Sequence, residues 1–340
     1  MMKIALLAVP GSMKSALSGL SDMFWLANQV AEQNPALRHR DAVNEPGFSA
    51  QIVTADGHPV IDAQGRQIES EGSFESDKYS LIIASGMRLD EEKSPLCKAA
   101  ITDAARWVKA QYQQGCAVAG ACAGGFILAE AGLLNGRMCA TTWWLYHTFR
   151  ERYPLTKPVW GKALVEDRNI ITTGGPLSWV DLAIHVVRLY AGDEMAKLAA
   201  DMAVADSQPL SQHLYAPAGF LNSRHPLLIK AEHLVRFQDP SITVEQLAAS
   251  LNMTTRTLNR KMTELTQESP KSFITRVRME TAAMLLENRG KTVSQVATEC
   301  GYNDETAFRR AFNAVMGMSP GMYKEWVKNR SRDMRGEMTR

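Results

Sequence analysis

The sequence predicts two domains of different fold class: an α/β domain on a doubly wound parallel sheet, then an all-α domain with two helix-turn-helix units. Three observations carry this prediction. Apolar strand-like runs alternate with helical patterns through residues 1–205, and only short helical patterns follow residue 226. One segment of the last third also recurs at an offset of 49–50 residues. The length of 340 residues favours two domains as well.

Five strands are predicted in the first part of the chain. Near-continuous apolar strands separated by helices are typical of a parallel sheet covered on both faces. The strands are Lys3–Val9, Phe48–Ala55, Tyr79–Gly86, Cys116–Ala121 and Asn169–Gly175. Helical patterns cover 96–114, 126–134, Ser178–Tyr190 and Asp193–Ala205.

The boundary between the domains is predicted where both patterns stop. The segment Asp206–Pro226 has three prolines and no clear period, which is typical of a linker. We therefore expect an α/β domain over 1–205, a linker over 206–225, an all-α domain over 226–330 and a basic tail over 331–340.

The repeat consists of two amphipathic helices joined by a short turn. Thr243–Leu251 matches Thr292–Cys300 at an offset of 49, and Thr257–Leu265 matches Ala307–Val315 at an offset of 50. One extra residue in the second turn accounts for the difference. Helix, short turn and helix make a helix-turn-helix unit, so the sequence predicts two of them.

The second helix of each copy has one apolar and one polar face. Arginine and asparagine read guanine and adenine edges in the major groove of DNA, and lysine contacts phosphates. Two solvated helices in an unrelated bundle are the alternative, which the duplication disfavours. The predicted buried positions are Leu258, Met262, Leu265, Phe308, Phe312 and Val315. The opposite faces carry Arg256, Asn259, Arg260, Lys261, Thr263, Glu305, Thr306, Arg309, Arg310 and Asn313.

Charge and spacing agree with DNA as the partner. From His225 onward the chain has 18 basic and 13 acidic residues, whereas residues 1–224 have 20 and 23. A helix is predicted from Ser269-Pro270 to about Asn288, and its roughly 29 Å length approaches the ~34 Å between successive major grooves. Its expected apolar stripe is Ile274, Val277, Thr281, Met284 and Leu285.

Residues 226–330 resemble the DNA-binding domain of the AraC/XylS transcription regulators. The match includes both helix-turn-helix units and the Gly317-x-Ser319-Pro320 run. The resemblance implies base-facing positions at Arg256, Asn259, Arg260, Glu305, Thr306, Arg309 and Arg310.

Cys122 in "GACAGGFILAEAGLL" lies where a strand-to-helix turn would present a nucleophile. Residues 1–200 resemble the PfpI-type form of the class I glutamine-amidotransferase-like fold, in which this elbow cysteine is catalytic. That family's histidine follows a Thr-Thr pair, and here the position is Trp143 in "CATTWW". Its activating glutamate would lie in the early loop, yet Val9–Leu20 contains no acidic residue. The catalytic set is therefore incomplete, and we expect no enzyme.

We expect Cys122, Ala123, Gly86 and Trp143 to line a pocket for a small-molecule effector. A small residue that merely fits a tight elbow is the structural alternative for Cys122. A cysteine-dependent hydrolase or amidase with an accessory DNA-binding domain is the alternative function. An RNA-binding protein lacks support, because the exposed positions offer no aromatic stacking platform.

The cysteines and histidines indicate the cellular compartment and the absence of a metal site. The five cysteines are odd in number and form no C-x-x-C pair, and the seven histidines have no metal-ligand spacing. We therefore expect a reducing, cytoplasmic location, with no metal and no cofactor. The expected partners are double-stranded operator DNA, an effector and a second copy in a homodimer, without a membrane.

Overall fold

The computed structural model describes residues 1–34, 47–75, 78–222, 224–288 and 290–336, with side chains through residue 329. The chain forms two compact units, Met1–Gln212 and His213–Arg340. The first unit is α/β and the second is helical, which confirms the predicted fold classes. Within the described ranges, no helix is both long and apolar enough to cross a membrane.

A seven-stranded sheet forms the centre of the first unit. Neighbouring strands are parallel except for the edge pair β10 and β11. In spatial order the strands are β10 (Leu164–Asp167), β11 (Ile170–Thr173), β7 (Ala117–Ala121), β6 (Leu81–Ala84), β1 (Met2–Leu7), β2 (Phe48–Thr54) and β5 (Gly72–Ser73). Two small sheets pair β3 (Val60–Ile61) with β4 (Gln67–Ile68), and β8 (Met138–Cys139) with β9 (Lys157–Pro158).

The five predicted strands are β1, β2, β6, β7 and β11, with ends shifted by up to two residues. The sequence prediction missed the other strands, which have two to four residues each. Such short strands carry too few residues for a period of two to be visible.

Helices cover both faces of the sheet. Alternate residues of β1 point to opposite faces: Ile4 and Leu6 enter one core, while Ala5 and Leu7 enter the other. The first face is covered by α1 (Lys14–Gln33), α5 (Trp179–Ala191) and α6 (Asp193–Met202). The second is covered by α2 (Lys98–Gln113), α3 (Gly125–Glu130) and α4 (Tyr146–Arg152).

The second unit is built from seven α-helices among its described residues. A π-helical turn, Leu234–Gln238, extends the first of them. The helices are α7 (Pro226–His233), α8 (Val244–Ser250), α9 (Thr255–Thr266), α10 (Pro270–Glu287), α11 (Val293–Glu299), α12 (Glu305–Met316) and α13 (Pro320–Gly336).

The two copies of the internal repeat have the same pattern of helix caps. Thr243 and Thr292 each begin a helix with a capping box, closed by Gln246 and Gln295. Left-handed residues then end α8 and α11, at Asn252 and at Gly301. The helices α9 and α12 are capped by Thr254 and Asp304 and end at left-handed Gln267 and Gly317. The two helix-turn-helix units predicted from the sequence are therefore confirmed.

Gly301 is fixed by its surroundings as well as by its φ of +79°. A Cβ added there would lie 2.4 Å from the carbonyl oxygen of Pro240. Only glycine satisfies both conditions, because other residues add that atom and rarely adopt this φ.

One expectation needs correction, and the structure adds detail to two others. The stripe predicted on α10 is wrong at Met284, which is 44% exposed, while Met279, Ala282 and Leu286, outside that stripe, are buried. The predicted linker 206–225 straddles the two units, since Gln212 belongs to the first and Asn222 is buried in the second. The helix α13 continues through Gly336, so the first part of the predicted tail is helical, and residues 337–340 lie outside the described residues.

Candidate functional site

The exposed polar face of the first helix-turn-helix unit lies on α9. Leu258 and Met262 are fully buried, while Arg256, Asn259 and Arg260 are exposed on the other side. Lys261 and Leu265 are half-buried at the edges of that face. The amphipathic division expected for α9 is present, and it leaves the arginine and asparagine side chains facing solvent.

The second unit repeats this arrangement on α12. Phe308 and Phe312 are fully buried, and Thr306, Arg309 and Arg310 are exposed. Glu305 and Val315 are half-buried.

One arginine in the polar face of each helix forms an ion pair with a glutamate of the same helix. Arg260 Nη1 lies 3.2 Å from Glu264 Oε1, and Arg309 Nη2 lies 2.6 Å from Glu305 Oε1. Exposed pairs of this i,i+4 kind stabilise a helix by only about 0.3–0.5 kcal/mol. Because these pairs contribute so little, either arginine can turn to another acceptor, such as a base edge or a phosphate, at small cost.

A second candidate site lies around Cys122, at a sharp elbow between β7 and α3. Its φ of +53° is strained for a residue with a side chain. Gly124 allows the elbow to press against β6, because a Cβ there would lie 2.1 Å from the carbonyl oxygen of Ala84. The structure thus has the elbow that the sequence predicts.

The elbow lies where several strands end together. Met13 follows β1, Gly86 follows β6, Cys122 follows β7 and Gly175 follows β11. A Cβ added at Gly86 would lie 3.4 Å from Met13 Sδ and 3.5 Å from Cys122 Cβ. Strand order reverses at β1, which has β6 on one side and β2 on the other. Open α/β sheets bind ligands at the carboxyl ends of strands beside such a reversal.

Thr142 joins the elbow to the loop after β11. Its hydroxyl donates to Cys122 Sγ at 3.4 Å and accepts from the Gly175 amide at 3.1 Å. Trp143 follows directly, with its ring edge-on to that of Trp144 at 5.3 Å between centroids. The structure therefore brings Gly86, Cys122 and buried Ala123 together, and places the Trp143 backbone beside them.

The surroundings of Cys122 favour a thiol over a thiolate. Burial raises the pKa of the Cys122 thiol, while weaker hydrogen bonds from the Thr142 hydroxyl and the Ala123 and Gly175 amides lower it. These donors are all neutral, and no cation of the described residues is among the causes of the shift. A catalytic cysteine normally needs a histidine or another positive group to lower its pKa.

The two units match two different protein families. Residues 23–189 match the DJ-1/PfpI family, and residues 247–325 match the helix-turn-helix domain family. The HTH-type transcriptional regulator CdhR of Pseudomonas aeruginosa is 26% identical over 275 residues, 79% of each chain. The HTH-type transcriptional regulator GbdR of Pseudomonas aeruginosa is 22% identical over 307 residues, 88% of this chain and 81% of that protein.

The chain belongs to the AraC-type transcription regulators that carry a DJ-1/PfpI domain. The crystal structure of an AraC family transcriptional regulator from Pseudomonas putida aligns with 60% of this regulator and all of that chain, at 19% identity and a TM-score of 0.48.

Sequence reasoning missed three residues of the regulator's Cys122 site. Thr142 and Gly175 contact the elbow directly, and the Gln212 side chain accepts a hydrogen bond from the Trp143 amide at 2.8 Å. The Thr-Thr pair is visible in the sequence as the family pattern that precedes Trp143, and the Gly-Gly pair is visible as a turn signal. Gln212 has no such signal, because it lies 69 residues from its partner in a segment without periodicity.

Proposed function

We propose that this regulator binds operator DNA in a sequence-specific way through α9 and α12. The observation that carries the proposal is the duplicated unit, with the same capping pattern and an exposed arginine-rich face in each copy. The connecting helix α10 has 18 residues and is therefore about 27 Å long. Successive major grooves lie ~34 Å apart, so this length suits two recognition helices in neighbouring grooves.

The polar residues are assigned to two kinds of contact. Arginine and asparagine form bidentate hydrogen bonds with guanine and adenine, whereas lysine contacts phosphates without reading sequence. We assign Lys261 to a phosphate and give base-facing roles to Arg256, Asn259, Arg260, Glu305, Thr306, Arg309 and Arg310.

Selection of bound sites from random duplex DNA, at a stated salt concentration, tests the proposal. We expect a motif with two half-sites about one helical turn apart. Arg260→Ala and Arg310→Ala should each weaken binding to that motif by about 1–3 kcal/mol and relax preference at one base. Arg106→Ala, on an exposed face of α2, is the matched control. Equal losses on selected and random DNA would make the two arginines phosphate contacts, and absence of any enrichment would contradict the proposal.

We also propose that a small-molecule effector binds at the carboxyl ends of β1, β6, β7 and β11. The strand reversal, Gly86 and the Cys122 elbow support this position. An effector shifts the regulator between states only to the extent that it binds one of them better. We further propose a homodimer, which light scattering would contradict by finding a monomer both with and without operator DNA.

The same site is proposed to be non-catalytic. Its support is the neutral hydrogen-bonding environment of Cys122 and the presence of Trp143 at the position of the related enzymes' histidine. The rate of Cys122 alkylation by iodoacetamide, followed by peptide mapping, should rise with pH to a midpoint above the ~8.5 of a free cysteine. A midpoint well below that value, lost in Cys122→Ser together with hydrolase activity, would favour the cysteine enzyme instead.

The cytoplasm is the compartment that we propose for this regulator. A DNA-binding role and five free cysteines among the described residues both support a reducing compartment that contains DNA. Fractionation of cells that express the tagged protein tests this location directly.

A further inference from the structure

The end of the first unit is a segment that returns to the Cys122 site. Residues 203–212, here called the strap, follow α6 and end at the boundary with the second unit. Arg188 Nη2 donates to the carbonyl oxygen of Ser207 at 2.6 Å and holds the strap near its middle. At its end, the hydroxyl of Ser211 and the backbone amide of Gln212 both donate to the carbonyl oxygen of Gly161, at 3.2 and 2.9 Å.

The Gln212 side chain is enclosed and fully hydrogen-bonded, although the residue is the last of its unit. Its Oε1 accepts from the Trp143 amide at 2.8 Å, and its Nε2 donates to the carbonyl oxygens of Thr141 and Lys162 at 2.9 and 2.7 Å. Only 6% of the residue is exposed. Leaving a buried polar group without its partner costs about 1–3 kcal/mol, so the carboxamide holds this geometry firmly.

These hydrogen bonds bracket the residue that contacts the elbow cysteine. Gln212 bonds to the residues on both sides of Thr142, whose hydroxyl donates to Cys122 Sγ. Gly174 leaves the space for the carboxamide, because a Cβ there would lie 2.4 Å from Gln212 Nε2 and 2.5 Å from the carbonyl oxygen of Thr141. A ligand that moves Thr142 must therefore stretch or break the bonds of Gln212.

We propose that Gln212 transmits the state of the Cys122 site to the DNA-binding unit. The inference rests on the proposed effector site and the proposed DNA binding. With the site empty, the carboxamide fixes the point at which the chain leaves the first unit. A group that displaces Thr142 or Trp143 releases Gln212 and frees the strap, which changes the constraint on the second unit from His213 onward. Coupling of this kind is typically 5- to 150-fold in affinity.

Carboxamidomethylation of Cys122 by iodoacetamide provides a probe, because it places a small group permanently in the site. The dissociation constant for the selected operator is measured for modified and unmodified full-length protein. We expect the modification to change it by about five-fold or more in the wild type. In Gln212→Ala the two constants should agree, since the link is absent. Gln208→Ala removes an exposed glutamine of the same strap and should behave like the wild type.

Two further variants keep the result interpretable. Gln212→Glu preserves the acceptor for the Trp143 amide but faces two carbonyl oxygens with a carboxylate, and it should also abolish the effect. Cys122→Ser, treated and untreated, shows any contribution from the half-buried Cys97. An unmodified wild type that fails to bind selected DNA would overturn the proposed function. A modification effect that is absent in the wild type, or equal in the wild type and both Gln212 variants, would overturn the coupling while DNA binding stands.

Discussion

Replacement of Arg276 by methionine tests the buried charge network that holds the second unit together. Arg276 is 2% exposed and makes five hydrogen bonds. Three go to Glu268, one to Glu280 Oε1 at 2.8 Å and one to Asn222 Oδ1 at 3.1 Å. The network thus joins the turn after α9, the centre of α10 and the residues that precede α7.

The magnitude follows from the charges that remain. Arg236 contacts both Glu232 and Glu280, at 2.6 and 2.8 Å, so the network holds two guanidinium groups and three carboxylates. The guanidinium groups hold the pKa of Glu280 below its usual value, although burial acts in the opposite direction. Removing Arg276 leaves three carboxylates around a single cation. Breaking a buried pair costs about 3–5 kcal/mol, and we expect Arg276→Met to lose this much stability.

Hydrogen exchange of α10 peptides in the full-length protein measures the effect, because these amides exchange through unfolding of the second unit. Arg256→Met, at an exposed position of α9, is the matched control and should change stability by less than about 0.5 kcal/mol. In the double variant Arg276→Met/Glu280→Leu, the net charge of the buried network equals that of the wild type. Its loss of stability should therefore be smaller than the sum of the losses of the two single variants. A loss below about 1 kcal/mol for Arg276→Met would show that the buried network does not depend on this guanidinium.

Two further predictions concern local strain and pH. Gly301→Ala should destabilise the second unit by about 2–4 kcal/mol in urea unfolding, because the new Cβ meets the Pro240 carbonyl at a positive φ. Gly321→Ala is the control: its new Cβ meets open space, so the substitution should be neutral or stabilising. Equal changes in stability for the two variants would contradict this explanation. Burial, and to a lesser extent repulsion from Asp206, raises the pKa of Asp181 to about 6. Between about pH 4 and 6 the folded state therefore binds more protons than the unfolded state, and the stability of the protein falls as the pH rises. Asp181→Asn should therefore gain about 1–2 kcal/mol over the wild type above about pH 7 and nothing near pH 4, measured by urea unfolding between those pH values. Asp201→Asn, at an exposed position of α6, is the matched control. A gain independent of pH would exclude titration of Asp181 as its cause.

The sequence was sufficient for the recognition units because their signals are local. Thr243, Gln246 and their copies Thr292 and Gln295 are capping residues that act within one turn of their own helix. The spacing of apolar residues along α9 and α12 likewise predicts that Leu258 and Phe308 are buried, as they are. No distant residue is needed for that prediction. The strands around Cys122 were predictable for the same reason, since a run of apolar residues is visible in any window that contains it.

The sequence alone also determined the two fold classes, the elbow at Cys122 and the missing histidine at Trp143. The burial of Arg276 and Glu280, and the contact of Gln212 with the residues around Thr142, depend on how distant segments pack together. Charged and amide side chains are expected at the surface, because their burial is unfavourable without partners. Those partners come from segments as far as 71 residues away, and such pairings leave no periodic trace in the chain.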